Sequence, residues 1–158
     1  MMWNSQSFMD PSLSLEERIR ALLLYLVEDP QSIDFDTTGS GGVELLSANH
    51  YMFTVVPKLC SKAGFLHGGA ASTLLDTLTS TALLTIAKAG YWKTLGVSRT
   101  LTVTFLRPLP LGTKVFVDCE VVAVEKSMAN VKGTMKNADG KVSITSIHDK
   151  ATVAEPKL

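Results

Sequence analysis

The chain has 158 residues, of which 46% are hydrophobic and 19% charged, and its formal net charge at pH 7 is zero. This length predicts one domain with a sizeable hydrophobic core. The balanced charge gives no reason to expect a nucleic acid or an anionic membrane surface as a partner, and no segment is apolar over the ~18 residues that a membrane span needs.

The N-terminal third of the sequence predicts a tail, one helix and one or two strands. Residues 1–12 read as a flexible N-terminal tail, and residues 13–158 read as a single domain. The segment Ser14–Glu17, SLEE, is a capping-box pattern and begins a helix that ends before Pro30. Residues 43–57 read as one extended strand or as two short ones.

Cysteine usage and the N-terminal segment both bear on the compartment. Two cysteines are too few for a disulfide framework, so reduced thiols in an intracellular protein are the simpler interpretation. The N-terminal segment lacks the basic and apolar regions of a signal peptide. We therefore expect an intracellular protein, cytoplasmic or mitochondrial.

The most informative segment is a predicted helix from about Gly68 to Lys88, in which Asp76 is the single charge before Lys88. A helix on a protein surface normally carries several charged side chains on its solvent side, so this one is expected to be covered on most sides. At 100° per residue, Asp76 points roughly 130° away from the centre of the apolar stripe. We expect a second copy of the helix, in a symmetric dimer, to cover the surface around Asp76. The apolar stripe consists of Ala71, Leu74, Leu75, Leu78, Ala82 and Ile86.

After the helix the sequence predicts a meander of four antiparallel strands. They cover residues 97–105, 115–123, 129–136 and 141–153, and the last two are joined by Asn137–Gly140, which contains the Asp-Gly pair of a hairpin turn. One long helix followed by such a meander predicts an α+β fold. A curved antiparallel sheet would wrap around the long central helix, with the N-terminal helix as an addition.

The run His67-Gly68-Gly69 leads into the N-terminus of the central helix and points to chemistry there. The first N–H groups of a helix have no intrahelical partners and lie at the positive end of its dipole, so they suit a developing oxyanion. Farther along, Asp76 can serve as a general base or a nucleophile towards a bound carbonyl group. Two simpler interpretations remain open: His67 as a packing residue at the helix start, and Asp76 as a structural hydrogen-bond partner across an interface.

The run His67–Asp76, HGGAASTLLD, resembles the signature of the hotdog-fold thioesterases of the PaaI type. The closer likeness is to the branch that contains the mammalian acyl-CoA thioesterase 13, and it covers about residues 43–153. It implies a hotdog fold and a hydrolase of lipid metabolism that cleaves acyl-CoA to a free acid and CoA. It further implies no cofactor beyond the CoA of the substrate, and a homodimer or a homotetramer built as a dimer of dimers.

The resemblance also implies roles for individual residues. Asp76 would activate the water or attack the thioester directly, and the N–H of Gly68 would polarise the thioester carbonyl. His67 would shape the turn and help to hold that carbonyl, and Ser98 would position the water or Asp76. Ser61 stands where the branch usually has Asn, whose amide helps to bind the carbonyl, so the shorter hydroxyl is expected to be a weaker oxyanion donor.

The phosphates of CoA require basic or polar groups at the mouth of the site. The resemblance places the nucleotide near Arg107, Pro108, Lys126 and Ser127, with Lys150 as a further candidate. Each of these side chains has a simpler interpretation as part of the solvated surface.

Two other functions remain open for the same fold. The substitution at Ser61 favours a noncatalytic module that binds acyl-CoA or lipid. A hotdog dehydratase is disfavoured, because that chemistry uses a different arrangement of His with Asp or Glu. We expect no metal site, and we expect His148, on the last strand, to bind nothing rather than to bind phosphate.

Overall fold

A computed structural model of the chain describes residues 8–28, 42–92 and 95–152. Short 3₁₀ turns lie at Pro57–Leu59 and Ala82–Thr85. None of the described helices is long and apolar enough to cross a membrane. In chain order the main elements are helix α1 (Leu15–Glu28), strands β1 (Glu44–Ser47) and β2 (His50–Thr54), helix α2 (Gly68–Thr81), and strands β3 (Val97–Phe105), β4 (Lys114–Val124), β5 (Met128–Lys136) and β6 (Val142–Ala151).

Helix α1 begins at the predicted capping box. The backbone N–H of Ser14 donates to Oε2 of Glu17 at 2.8 Å, and the N–H of Glu17 donates back to Oγ of Ser14 at 3.3 Å. Phe8, within the predicted tail, is buried, and its carbonyl accepts a hydrogen bond from Nε of Arg18 at 2.9 Å. The described end of the tail, residues 8–12, therefore contacts α1, while residues 1–7 and the predicted stop at Pro30 lie outside the described residues.

The six strands of the described residues pair in antiparallel fashion in the order β1-β2-β4-β5-β6-β3, which places β1 and β3 at the two edges of the sheet. The extended segment before α2 forms two strands, because Asn49, with a φ of 64°, turns the chain between them. The four strands predicted after α2 are confirmed, each within two residues of its predicted bounds. The hairpin between β5 and β6 is closed by the N–H of Asn137, which donates to the carbonyl of Lys141 at 3.1 Å.

The central helix is shorter than the sequence predicted. It ends at Thr81, and the chain continues as a 3₁₀ turn to Thr85 rather than as a helix to Lys88. The hydroxyls of Thr81 and Thr85 donate to the carbonyls three residues earlier, each at 2.7 Å. Such local bonds favour the tighter 3₁₀ turn at a helix end.

Helix α2 packs against one face of the sheet, and its predicted apolar stripe is buried except for Ile86, which is partly buried. Helix α2 lies very close to the sheet over β5, where a Cβ added at Gly133 would lie 2.7 Å from Cδ2 of Leu75 and 2.9 Å from Cγ2 of Thr79. Glycine on β5 therefore lets α2 lie close to the sheet. This brings polar side chains of α2 within reach of β6.

Candidate active site

His67 caps the N-terminus of α2. It has extended backbone angles, and its Nδ1 accepts a hydrogen bond from the N–H of Gly69 at 2.9 Å. Among the residues that the structure describes, none accepts from the N–H of Gly68. The ring of Phe105 lies beside this position, because a Cβ on Gly68 would come within 3.3 Å of it. The helix start therefore presents a backbone donor at Gly68, as an oxyanion site requires.

The carboxylate of Asp76 lies between α2, β3 and β6. Its side chain is 46% exposed, and Oδ1 accepts a hydrogen bond from Oγ of Ser98 at 2.7 Å. Nε2 of His148 lies 3.1 Å from the same oxygen, without the alignment of a hydrogen bond, and the His148 side chain is fully buried. The structure thus brings Asp76 and Ser98 together and adds a histidine that the sequence did not associate with them.

The proton positions on His148 follow from its second contact. The hydroxyl of Thr79 donates to the carbonyl of Leu75 at 2.5 Å, so its oxygen accepts from Nδ1 of His148 at 2.7 Å. A neutral His148 therefore carries its hydrogen on Nδ1 and presents the lone pair of Nε2 towards Asp76. Two acceptor atoms at this distance repel each other, and a proton on Nε2 of His148 would turn the contact into a donor–acceptor pair.

The surroundings favour the neutral form of His148. Burial lowers the pKa of His148 below its usual range, and the Lys150 ammonium lowers it further, against the opposing effects of Asp76 and Asp149. Burial also lowers the pKa of Lys150, whereas Asp76 opposes that shift. At neutral pH the site therefore presents a neutral imidazole to the side chain of Asp76.

The suggestion that Lys150 binds phosphate is wrong for this chain. The Lys150 side chain is buried, and its Nζ donates to Oγ of Ser80 at 2.7 Å, beneath the surface and beside Asp76. His148, for which the sequence predicted no partner, is buried and faces Asp76. Strand β6 turns His148 and Lys150 to the same buried face. The sequence signal for this placement was the alternate spacing of His148 and Lys150, which puts both on the face of β6 that also carries the buried Ile144.

The residues predicted to bind the CoA nucleotide do not meet in one chain. Arg107 and Pro108 are exposed after β3, where Nη1 of Arg107 donates to the carbonyl of Val142, the first residue of β6, at 2.6 Å. Lys126 and Ser127 are exposed in the turn between β4 and β5, and the carbonyl of Ser127 accepts from the backbone just past the other end of β6. Ten residues of β6 separate the two groups, a span of about 30 Å.

Ser61 lies in a tight turn before α2. Its N–H donates to the carbonyl of Phe65 at 2.8 Å, and its own carbonyl accepts from Gly64 at 3.0 Å. No described residue hydrogen-bonds to its hydroxyl. The turn returns the chain directly to His67, so Ser61 and the helix start belong to one compact loop.

Comparison with known proteins identifies the family. The profile described as "Thioesterase superfamily" matches residues 63–144, which include the start of α2, Asp76 and Ser98. The chain belongs to the thioesterase superfamily. It is 31% identical over 88 residues to human acyl-coenzyme A thioesterase 13, a match that covers 55% of this chain and 60% of that protein. The chain thus matches less than two thirds of the length of this curated relative.

Solved structures confirm the hotdog fold that the sequence predicted. Zebrafish thioesterase superfamily member 2 superposes with a TM-score of 0.78 at 22% identity, covering 89% of this chain and 99% of that chain. A Streptococcus mutans protein bound to acetyl-CoA superposes with a TM-score of 0.58 at 20% identity, covering 70% of this chain and 87% of that one. At these identities the likeness establishes the fold alone.

Proposed function

We propose that this chain hydrolyses acyl-CoA thioesters to a free carboxylic acid and CoA. The observation that carries the proposal is the carboxylate of Asp76, which is accessible to solvent and is held by Ser98 beside the buried His148. Membership of the thioesterase superfamily supports thioester hydrolysis. A relative named as an acyl-coenzyme A thioesterase and a structural neighbour bound to acetyl-CoA support acyl-CoA as the substrate class.

In the proposed reaction Asp76 acts as a general base. Both described contacts of its carboxylate are made by Oδ1, so Oδ2 is available to accept a proton from a water molecule. The water oxygen forms a bond to the thioester carbon, and the N–H of Gly68 stabilises the charge on the carbonyl oxygen. When the carbon–sulfur bond breaks, the proton passes from Asp76 to the CoA thiolate and the carboxylate is restored. Direct attack by Asp76 is the alternative route in the same site.

The two halves of this site do not meet within one chain. Gly68 and Asp76 are eight residues apart on α2, which corresponds to about 12 Å along the helix axis. A reacting carbonyl must lie about 3 Å from both the oxyanion donor and the attacking group. The halves also lie at opposite ends of β3, since Phe105 lies beside Gly68 whereas Ser98 contacts Asp76. One chain therefore supplies a donor and a base that serve different sites.

We propose that a second copy completes each site by antiparallel pairing of the two β3 edges. This pairing would place the Phe105 end of one β3 beside the Val97 end of the other. It would bring Gly68 towards Asp76 of the second copy. It would also bring Arg107 towards Lys126 of the second copy, so that the two groups of residues predicted to bind the CoA nucleotide would lie at one site.

The outer edge of β3 suits such pairing. It is nine residues long, it lies at the end of the sheet, and Val97 and Phe105 are half-exposed on it. A long edge strand with exposed apolar side chains is typical of an association surface. A homotetramer, as a dimer of these dimers, remains a prediction.

A noncatalytic acyl-CoA-binding protein is the second candidate, and Ser61 in place of Asn is the observation that favours it. Thiol release from a panel of short, medium, long-chain and aromatic acyl-CoA esters separates the two. We expect saturable release with at least one ester. Saturable binding of the esters, measured by calorimetry, without thiol release from any of them would favour the binding protein.

Replacing Ser61 by Asn is expected to raise kcat about tenfold, because an amide reaches farther than a hydroxyl and adds a donor for the oxyanion. The measurement is kcat with the best ester of the panel. Ser61→Ala serves as the matched control and should leave kcat the same or lower. No gain with Asn would show that another group already holds the carbonyl oxygen.

A further inference from the structure

The buried Lys150 connects the three elements that surround Asp76. It lies on β6 directly opposite Ser98 in the β3–β6 ladder, and it is 4% exposed. Its Nζ lies 2.7 Å from Oγ of Ser80 on α2 and 3.4 Å from Oγ of Ser98 on β3. A buried ammonium group requires several hydrogen-bond acceptors or a nearby opposite charge.

The two serine hydroxyls that contact Lys150 both donate their hydrogens to Asp76. The hydroxyl of Ser80 donates to the backbone carbonyl of Asp76 at 2.6 Å, and the hydroxyl of Ser98 donates to its carboxylate. Since each hydroxyl has a single hydrogen, both oxygens accept from Lys150. Lys150 therefore determines which way both hydroxyls point, and a donor relay runs from Nζ through Ser98 to the Asp76 carboxylate.

We propose that Lys150 is a positioning residue of the site: it orients the Ser98 hydroxyl towards Asp76 and places a positive charge beside the His148 that faces the same carboxylate. The kinetic part of this inference rests on the proposed function. The structural and electrostatic part does not, because it can be measured without substrate.

The charges around His148 predict the direction in which its pKa changes when Lys150 is removed. Lys150 and His148 face Asp76 from β6, and Ser98 faces it from β3. The charge of Asp149 raises the pKa of His148, and the Asp149 carboxylate accepts a hydrogen bond from Asn130 of β5. Of these groups, Lys150 is the cation that opposes protonation of His148. Without it, His148 takes up a proton at higher pH. A proton on Nε2 of His148 would point at Oδ1 of Asp76, so the pH at which this contact becomes a hydrogen bond should rise.

A purely structural role is a weak explanation for Lys150. Burial of an ammonium group costs solvation and adds little to stability by itself, and its removal leaves no buried opposite charge behind, because the Asp76 side chain is 46% exposed. The Lys150→Met variant keeps the unbranched side chain up to the position of Cε and removes the charge. We therefore expect it to fold.

The test is the titration of the His148 imidazole by NMR in the wild-type protein and in Lys150→Met. The chain has three histidines, so His148→Gln assigns the resonance. We expect the midpoint of the His148 titration to rise by about one pH unit in Lys150→Met, because an opposing positive charge is removed. The matched control Lys141→Met, at the exposed hairpin, should leave the midpoint unchanged.

Kinetics provide the second readout if the protein hydrolyses acyl-CoA. In Lys150→Met the acid limb of the pH profile for kcat should move to higher pH by a similar amount, while KM changes less than about twofold.

An unchanged His148 midpoint in folded Lys150→Met would overturn the proposal, whether or not the wild-type protein shows activity. If Lys150→Met does not fold, Ser80→Ala, which removes one anchor of the ammonium, must give a smaller shift in the same direction. No shift in Ser80→Ala would then overturn the proposal.

Discussion

Replacing Asp76 by Asn is expected to lower kcat for acyl-CoA hydrolysis about 100-fold or more, the usual contribution of a general base. The amide has the shape of the carboxylate, and its oxygen can still accept from Ser98, so the packing around α2, β3 and β6 should be preserved. It cannot take a proton from water. KM should therefore change little while kcat falls. The measurement is thiol release with the best acyl-CoA ester, together with a thermal melt to confirm folding.

The matched control is Asp139→Asn. Asp139 lies exposed in the hairpin between β5 and β6, and the same change of charge there should leave kcat unaffected. Unchanged turnover in a folded Asp76→Asn variant would show that Asp76 has a structural role and that another group activates the water.

The second large effect is expected from Gly68→Pro, which removes the N–H that the proposal assigns to the oxyanion. Gly68 is the first residue of α2, a position that tolerates proline because its N–H has no intrahelical partner. The preceding residue, His67, already has φ of −67° and ψ of 135°, angles that suit a residue before proline. We expect kcat to fall about 100- to 1,000-fold, as for the loss of one oxyanion donor elsewhere.

Gly68→Ala separates the lost N–H from the added side chain. Alanine keeps the N–H but introduces a Cβ 3.3 Å from the Phe105 ring, which is half-exposed and can move by the few tenths of an ångström that the contact requires. We expect a loss of less than about tenfold. If alanine and proline lower kcat equally, crowding against Phe105 explains the loss and the Gly68 N–H is not the oxyanion donor.

Local patterns explain what the sequence could predict. The capping box at Ser14 and Glu17 began α1 where expected, and the period-two segments gave the four strands after α2. The single charge at Asp76 marked the site because an apolar helix surface makes an isolated carboxylate conspicuous. Each of these signals lies within a short stretch of chain.

Long-range register explains what the sequence could not predict. The contacts of Asp76 with His148 and Lys150 depend on the pairing of Ser98 with Lys150 between β3 and β6, and on the close approach of α2 over Gly133. Neither is visible in a local pattern, so the sequence alone indicates Lys150 only as a surface charge or a phosphate ligand. The end of α2 was missed because threonine hydroxyls turn the chain into a 3₁₀ conformation without a glycine or proline at that point.

The central claim is that Asp76 of one copy acts with the helix start of a second copy. It is tested most directly by mixing Asp76→Asn and Gly68→Pro subunits, each with about a hundredth of the wild-type activity or less when alone, under conditions in which subunits exchange. Half of the dimers would then be hybrids, and each hybrid would contain one intact site, so activity should recover to about a quarter of the wild-type value. Recovery of that size is the result we predict. No recovery, with hybrid dimers demonstrated by mass spectrometry, would contradict the shared site.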